Sequence, residues 1–178
     1  DMIRAHIRDQ GLPVDPVEVI ELCWERPQRE WQYTGMELAE RAHKKGLLKE
    51  SMTLFRFMIA NKSWWDTVDY IASNSVGREM ERSEHWRPFM EGWLNSGNLW
   101  LQRTTLLFQL KYKDRVDTDW LSYAIGSLKG DSEFFIQKAI GWALRQYARV
   151  QPDWVRNEVE KQGLTGLAKR EALKHLSS

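Results

Sequence analysis

Apolar residues recur three and four positions apart along almost the whole chain, which is the spacing of one face of an α-helix. Glycine, proline, asparagine, aspartate and serine mark short breaks between these stretches. No run of alternating apolar and polar residues competes with this pattern, so the sequence predicts an all-α protein. The predicted helices lie near residues 15–26, 34–46, 48–61, 63–81, 84–95, 98–112, 117–129, 132–149, 152–162 and 166–176.

The predicted helices repeat in pairs. Candidate N-cap residues recur at intervals of 35, 33 and 34 positions, with one further short helix in each interval: Ser63, Asn98, Asp131 and Thr165. This period is typical of an α-solenoid, in which each pair packs against the next and leaves a curved inner surface. The tetratricopeptide and ankyrin signatures are missing, so a HEAT-like array fits best. Ser63 and Asp66 also have the spacing of a capping box, which predicts a helix start at Ser63.

Length and composition are those of one folded domain. The chain has 178 residues, 42% hydrophobic and 29% charged, and no apolar run approaches the about 20 residues of a membrane span. A single cysteine, Cys23, excludes disulfide frameworks and thiolate zinc sites and favours a reducing, cytoplasmic compartment. The histidines lack helical metal-site spacing: they are His6, His43, His85 and His175. We therefore expect one repeat domain over residues 1–178 with no metal and no cofactor.

Charge is divided unevenly between the two halves of the chain. Residues 1–97 carry 13 basic and 16 acidic side chains, whereas residues 98–178 carry 13 basic and 9 acidic ones. A basic C-terminal half favours an anionic partner. The alternative is that these charges only solvate helical surfaces.

Two stripes of residues run along the helix predicted to begin at Ser63. The first is of the usual core-facing kind and contains Trp64, Val68 and Ile71. The second lies about 100° away around the helix and contains Trp65, Asp69, Ala72 and Val76. Since an unpaired carboxylate is costly to bury, Asp69 needs either a partner or a function. The structural alternative is that Asp69 pairs with an arginine of the next repeat while Trp65 packs.

The following helices carry cations at comparable positions. Arg103, Lys138 and Arg170 lie five to seven residues after their predicted helix starts, so stacked repeats would align them. One helical face of the 132–149 segment contains Lys138, Trp142, Arg145 and Arg149. Cations on such a face suit a phosphate backbone, and the indole between them suits a sugar or base. For Arg103, which shares its face with leucines, the alternative is a partly buried, salt-bridged arginine.

Four blocks in this order resemble the AlkD-type DNA alkylation repair proteins, which are HEAT-like-repeat DNA glycosylases. The blocks are N-K-S-W-W-D-T-V-D at 61–69, L-W-L-Q-R-T at 99–104, F-F-I-Q-K-A-I-G-W at 134–142 and K-R-E-A at 169–172. The resemblance implies a monomeric, C-shaped stack of helical pairs whose concave face holds duplex DNA. It also implies hydrolysis of the N-glycosidic bond of cationic N3- or N7-alkylated purines, in base excision repair.

The resemblance also implies roles for individual residues. Asp69, from the W-W-D-x-x-D segment, is expected to be the catalytic carboxylate, and Trp65 and Trp142 are expected to be aromatic walls near the lesion. Arg103, from the L-Q-R segment, resembles the arginine that grips DNA there. Relatives usually extend about one helical pair further at the N-terminus, so we expect this chain to lack that pair. The alternative function is a non-catalytic HEAT-like module that binds damaged or branched DNA.

Overall fold

The computed structural model describes residue 9 and residues 11–176, and within them the regular structure is entirely helical. The prediction of an all-α fold is therefore confirmed. The helices are α1 (Pro16–Glu25), α2 (Arg29–Lys44), α3 (Ser51–Ala60), α4 (Trp65–Tyr70), α5 (Gly77–Arg82), α6 (Trp86–Leu94), α7 (Leu99–Leu107), α8 (Thr118–Leu128), α9 (Phe134–Tyr147), α10 (Pro152–Lys161) and α11 (Gly166–Ala172). A π-helical segment spans Ile71–Val76 and a 3-10 turn spans Lys113–Arg115. None of the described helices is both long enough and apolar enough to cross a membrane.

The described part of the chain forms two compact units, divided between residues 71 and 72. In the first unit α1 packs against α2, and α4 contacts both α2 and α3. Its core includes Ile20, Phe55 and Ile59, all without exposed surface. Trp24 is buried beside them, and its indole N–H donates to the carbonyl oxygens of Met58 and Asn61 at 3.2 and 3.0 Å.

In the second unit α9 packs against both α7 and α11, as stacked helical pairs require. The core centres on Trp120, which has no exposed surface and stacks edge-on against Trp86 at 5.2 Å between ring centroids. Its indole N–H donates to the carbonyl of Thr105 at 3.0 Å. The single-domain organisation and the C-shape with a concave face stay predictions.

Asn98 caps α7 as predicted. Its side-chain oxygen accepts hydrogen bonds from the backbone N–H groups of Trp100 and Leu101 at 3.0 and 3.1 Å, which satisfies two donors that the first turn of a helix leaves unpaired. Thr165 also precedes its helix, α11, but its side chain makes no capping hydrogen bond.

The capping box predicted at Ser63 is wrong. The Ser63 hydroxyl donates instead to the carbonyl of Ile59 at 2.6 Å, and α4 begins two residues later, after an extended Trp64. This hydrogen bond turns the Ser63 side chain back toward the end of α3, and no side chain caps the first turn of α4. Asp131 does not cap the first turn of α9 either. It accepts from the N–H of Glu133, and α9 begins at Phe134.

Gly141 allows the close packing of α9 on α11. A Cβ atom added at this position would lie 2.4 Å from the Cβ of Glu171 and 2.9 Å from the carbonyl oxygen of Ala168. Neither neighbour is the flexible end of a side chain, so the two helices would have to move apart. The glycine therefore decides how near Glu171 comes to the surface of α9.

Substituting Gly141 by alanine is expected to destabilise the protein by about 1–3 kcal/mol, the usual cost of overpacking. The matched control is Gly92→Ala in α6, where an added Cβ meets nothing within 4 Å. The control should stabilise the protein by up to about 1 kcal/mol because alanine favours the helix. Urea unfolding followed by circular dichroism measures both, and equal stability of the two variants would contradict the packing argument.

Candidate functional site

Helix α4 presents Trp65 and Asp69 very differently. Trp65 is 46% exposed, whereas Asp69, one turn later, is only 6% exposed. Val68 and Ile71 are buried as predicted, but Trp64 is 49% exposed, so its assignment to the core-facing stripe is wrong. The reason is that Trp64 precedes the helix in an extended conformation, where helical periodicity does not apply.

The loop before α4 is tied to the end of α1. Lys62 has a backbone φ of 48°, and its ammonium donates at 2.7 Å to each of the carbonyl oxygens of Glu25 and Arg26. A cation there bonds carbonyls at the end of the helix, where the Arg26 carbonyl also accepts from Gln32, and it complements the negative end of the helix dipole. Sequence patterns did not reveal this contact, because it joins residues 36 and 37 positions apart.

Arg103 lies in the interior of the second unit. It is 4% exposed, its guanidinium donates to the carbonyl of Phe135, and its Cζ atom lies 5.8 Å from the centroid of the Phe135 ring. The same ring stacks against Trp100 at 5.0 Å between centroids. This burial is closer to the alternative of a partly buried structural arginine than to an arginine on the surface. Contact of Arg103 with DNA stays a prediction.

Lys138 and Arg145 converge on one carboxylate that the sequence did not single out. Glu171 of α11 accepts a hydrogen bond from the Lys138 ammonium at 2.9 Å and pairs with the guanidinium of Arg145. Its side chain is 13% exposed, compared with 38% for Lys138 and 24% for Arg145. The hydrogen bond from Lys138, with the positive charges of Lys138, Arg145 and Lys174, lowers the pKa of Glu171. Two of the predicted phosphate ligands therefore already share a counter-ion.

Trp142, Arg149 and Arg170 complete the predicted site residues. Trp142 is half-buried on α9, between Lys138 and Arg145 along the helix. Arg149 is exposed, but α9 ends at Tyr147, so the predicted continuous helical face through Arg149 is wrong at its last position. Arg149 instead lines a cavity of about 260 Å³ with mostly apolar walls, near Lys113 and Tyr147. Arg170 is exposed on α11.

Other chemistry has little geometric support in residue 9 and residues 11–176. They contain no group of three or more histidine, cysteine, aspartate or glutamate side chains arranged to hold a metal ion. His43 stacks edge-on against Phe55 at 5.2 Å, and His6 lies outside the described residues. Burial raises the pKa of the Cys23 thiol, which disfavours the thiolate that a nucleophilic cysteine requires.

Comparison with known proteins decides the family. The family model described as "DNA alkylation repair enzyme" matches residues 1–176. The chain belongs to this family. A solved structure described as "Predicted DNA alkylation repair enzyme from Enterococcus faecalis" is similar to this DNA alkylation repair family protein, with 30% sequence identity and a TM-score of 0.85 over 99% of this chain and 82% of that one. A comparison with curated proteins found no match.

The Lys138–Glu171–Arg145 cluster of this family member predicts pH-dependent stability. Because the folded protein lowers the pKa of Glu171, the ionised carboxylate stabilises the fold above the ordinary value of 4.5, and this contribution is lost as the pH falls through the folded-state pKa. Glu171→Gln should therefore cost about 1 kcal/mol at pH 7 and progressively less below pH 4.5.

Urea unfolding of wild type and Glu171→Gln between neutral and acidic pH measures the difference. The exposed carboxylate Glu160 of α10 offers the control substitution Glu160→Gln. A stability difference for Glu171→Gln that stays constant with pH would mean that its charge does not stabilise the fold.

Proposed function

We propose that this protein is an AlkD-type DNA glycosylase that removes cationic N3- or N7-alkylated purines, such as 3-methyladenine and 7-methylguanine, from duplex DNA. The supporting observation is the pair on α4, a half-exposed indole at Trp65 one turn before the carboxylate of Asp69, in a member of the DNA alkylation repair family. We propose that it acts as a monomer in the cytoplasm, at the nucleoid, without metal or cofactor.

The proposed chemistry needs little from the protein at the base. Alkylation at N3 or N7 makes the purine cationic, so the base is already a good leaving group. The developing positive charge lies on the deoxyribose as the bond to C1′ breaks, and a nearby carboxylate stabilises that charge. Asp69 is the proposed carboxylate, and its low exposure strengthens its interaction with a cation because little water screens it. It would also orient or deprotonate the attacking water.

Trp65 and Trp142 are the proposed aromatic contacts to the reacting sugar. The faces of their indoles carry partial negative charge, which attracts a cation by about 0.5–2 kcal/mol at each ring. Both side chains have accessible surface in the structure, as such contacts require. Recognition from the sugar–phosphate side would leave the lesion outside the protein, so neutral lesions, which lack the weakened glycosidic bond, should be poor substrates.

Five cations are the proposed DNA-binding residues: Arg103, Lys138, Arg145, Arg149 and Arg170. They differ in accessibility, because Arg149 and Arg170 are exposed whereas Arg103 is buried. Arg149 and Arg170 are therefore proposed to contact phosphates directly. Lys138 and Arg145 would contact them while also holding Glu171. Arg103 would contribute chiefly through its charge and its hold on Phe135.

The burial of Asp69 and Arg103 favours a second candidate function. A module that binds damaged or branched DNA without cutting the glycosidic bond could keep both side chains in internal contacts. At 6% and 4% exposure, these two residues are less accessible than the other proposed site residues. The two functions differ in one measurable product, the free base.

Wild-type protein is expected to release 7-methylguanine from methylated duplex DNA, and Asp69→Asn is expected to abolish that release because it removes the charge that stabilises the sugar cation. DNA binding by the variant should stay within a few-fold of wild type. Chromatographic assay of free bases, with fluorescence anisotropy for binding, measures both. Release by Asp69→Asn at the wild-type rate would exclude Asp69 from the mechanism, and binding without release by wild type would favour the second candidate.

The salt dependence of binding tests the proposed phosphate contacts. Arg149→Gln and Arg170→Gln should each reduce the slope of log affinity against log salt by about 1, because each loses one phosphate contact. Lys138→Gln should reduce it less, because Glu171 already neutralises part of that charge. The control is Arg156→Gln, which removes an exposed cation paired with Asp153 on α10. Slopes unchanged for Arg149→Gln and Arg170→Gln would remove these residues from the interface.

A further inference from the structure

Helix α4 is held on α2 by polar contacts at both of its ends. At the first end, the Asp66 carboxylate accepts hydrogen bonds from the Arg29 guanidinium and the Tyr33 hydroxyl, each at 2.6 Å. At the other end, the Tyr70 hydroxyl donates to the carboxylate of Glu40. Asp66 and Tyr70 are one helical turn apart, so both contacts use the same face of α4.

The partners on α2 also share one face. Arg29, Tyr33 and Glu40 lie at relative positions 0, 4 and 11 of that helix, which places them within about 40° of one another around its axis. They are supported in turn, because the Cζ atom of Arg29 lies 5.3 Å from the centroid of the Tyr33 ring and Glu40 also pairs with Lys44. We call the set Arg29, Tyr33, Glu40, Asp66 and Tyr70 the α2–α4 clamp.

The clamp residues of α4 adjoin two of the three proposed catalytic residues. Trp65 immediately precedes Asp66, and Asp69 immediately precedes Tyr70. Helix α4 continues from Tyr70 directly into the π-helical segment Ile71–Val76, so its first turn, which carries Trp65, is the part that can fray. Contacts with α2 at both ends therefore limit how far this helix frays or rotates, and with it how far the side chains of Trp65 and Asp69 move.

Buried apolar contacts hold the middle and the end of α4 more firmly than its start. Val68 is fully buried, and Ile71 and Ala72 just beyond α4 are buried too, but Trp65 at the start of the helix is 46% exposed. The hydrogen bonds of Asp66 and Tyr70 lie on either side of Val68 along the chain, and each is directional. Two directional contacts flanking Val68 define an orientation.

We infer that the α2–α4 clamp consists of positioning residues that orient Trp65 and Asp69 for base release. The inference rests on the proposed glycosylase function. The clamp acts through α4 and does not touch the substrate in this role. Its loss should therefore lower the rate of the chemical step while leaving DNA affinity unchanged, since displacement of a catalytic group by about 1 Å can cost as much as about 100-fold in rate.

The test uses substitutions that remove one hydroxyl each, Tyr33→Phe and Tyr70→Phe, and their combination. The double variant should release 7-methylguanine about tenfold more slowly under single-turnover conditions, with a Kd for DNA within about twofold of wild type. The matched control is Arg41→Gln, which breaks a 2.8 Å ion pair to Glu37 within α2 itself and should change neither quantity. Arg29→Lys should retain more activity than Arg29→Met, because it keeps a cation near Asp66.

A second measurement follows Trp65 without relying on activity. In protein labelled with 5-fluorotryptophan, the Trp65 resonance is assigned by its loss in Trp65→Phe. That resonance should shift or broaden in Tyr33→Phe/Tyr70→Phe but not in Arg41→Gln. Urea unfolding establishes that each variant is folded before either measurement.

The outcomes separate the clamp from the proposed function. A slower rate with unchanged Kd and a changed Trp65 resonance supports positioning. An unchanged rate overturns it, whether or not the resonance moves, and so does an equal loss in Arg41→Gln. If wild type releases no base, the glycosylase proposal fails by itself. Amide hydrogen exchange of residues 65–70 then tests whether the clamp orders α4. Unchanged exchange in the double variant would overturn the clamp.

Discussion

Helix α4 carries two candidate reactive side chains at the start of a longer helical run, and their placement depends on contacts with other helices. The first turn of a helix leaves its N–H groups without partners in the helix, so tertiary contacts must help to order it. They come from three directions: the buried side chain of Val68, the loop anchored by Lys62 on the end of α1, and the polar contacts of Asp66 and Tyr70 with α2. The geometry of the candidate catalytic pair is thus a property of α1 to α3 as much as of α4.

In the second unit the corresponding constraint is steric. Gly141 lets α11 approach α9 closely enough for Glu171 to reach Lys138, one turn before the glycine, and Arg145, one turn after it. The result is three charges with a net charge of +1, beside the half-buried Trp142. A phosphate bound here, as proposed, would meet cations that are already oriented, which would reduce the entropy lost on binding, but it would share them with Glu171. Glu171 thus orders the two cations but weakens their electrostatic attraction for an anion.

Sequence reasoning succeeded where the physics is local. The cap at Asn98 depends on hydrogen bonds two and three residues away, and the structure contains it. It failed where a residue chooses between two local partners, since Ser63 bonds the carbonyl of Ile59 and leaves the start of α4 uncapped. It failed again at Trp64, whose extended backbone removes it from the helical stripe. The π-helical segment Ile71–Val76 has more than 3.6 residues per turn, so residues spaced for an α-helix do not stay on one face through it.

The sequence by itself determined the all-α fold, the family and the identity of the candidate residues, because helical periodicity and motifs depend on residues that are close together in the sequence. Tertiary structure decided which of those residues are accessible and which are already engaged. It buried Arg103 against Phe135, joined Lys138 and Arg145 through Glu171, and left Asp69 with 6% of its surface exposed. Exposure and ion pairing depend on residues that lie 26 to 33 positions apart in the sequence. A local sequence pattern does not indicate which of these distant side chains are in contact.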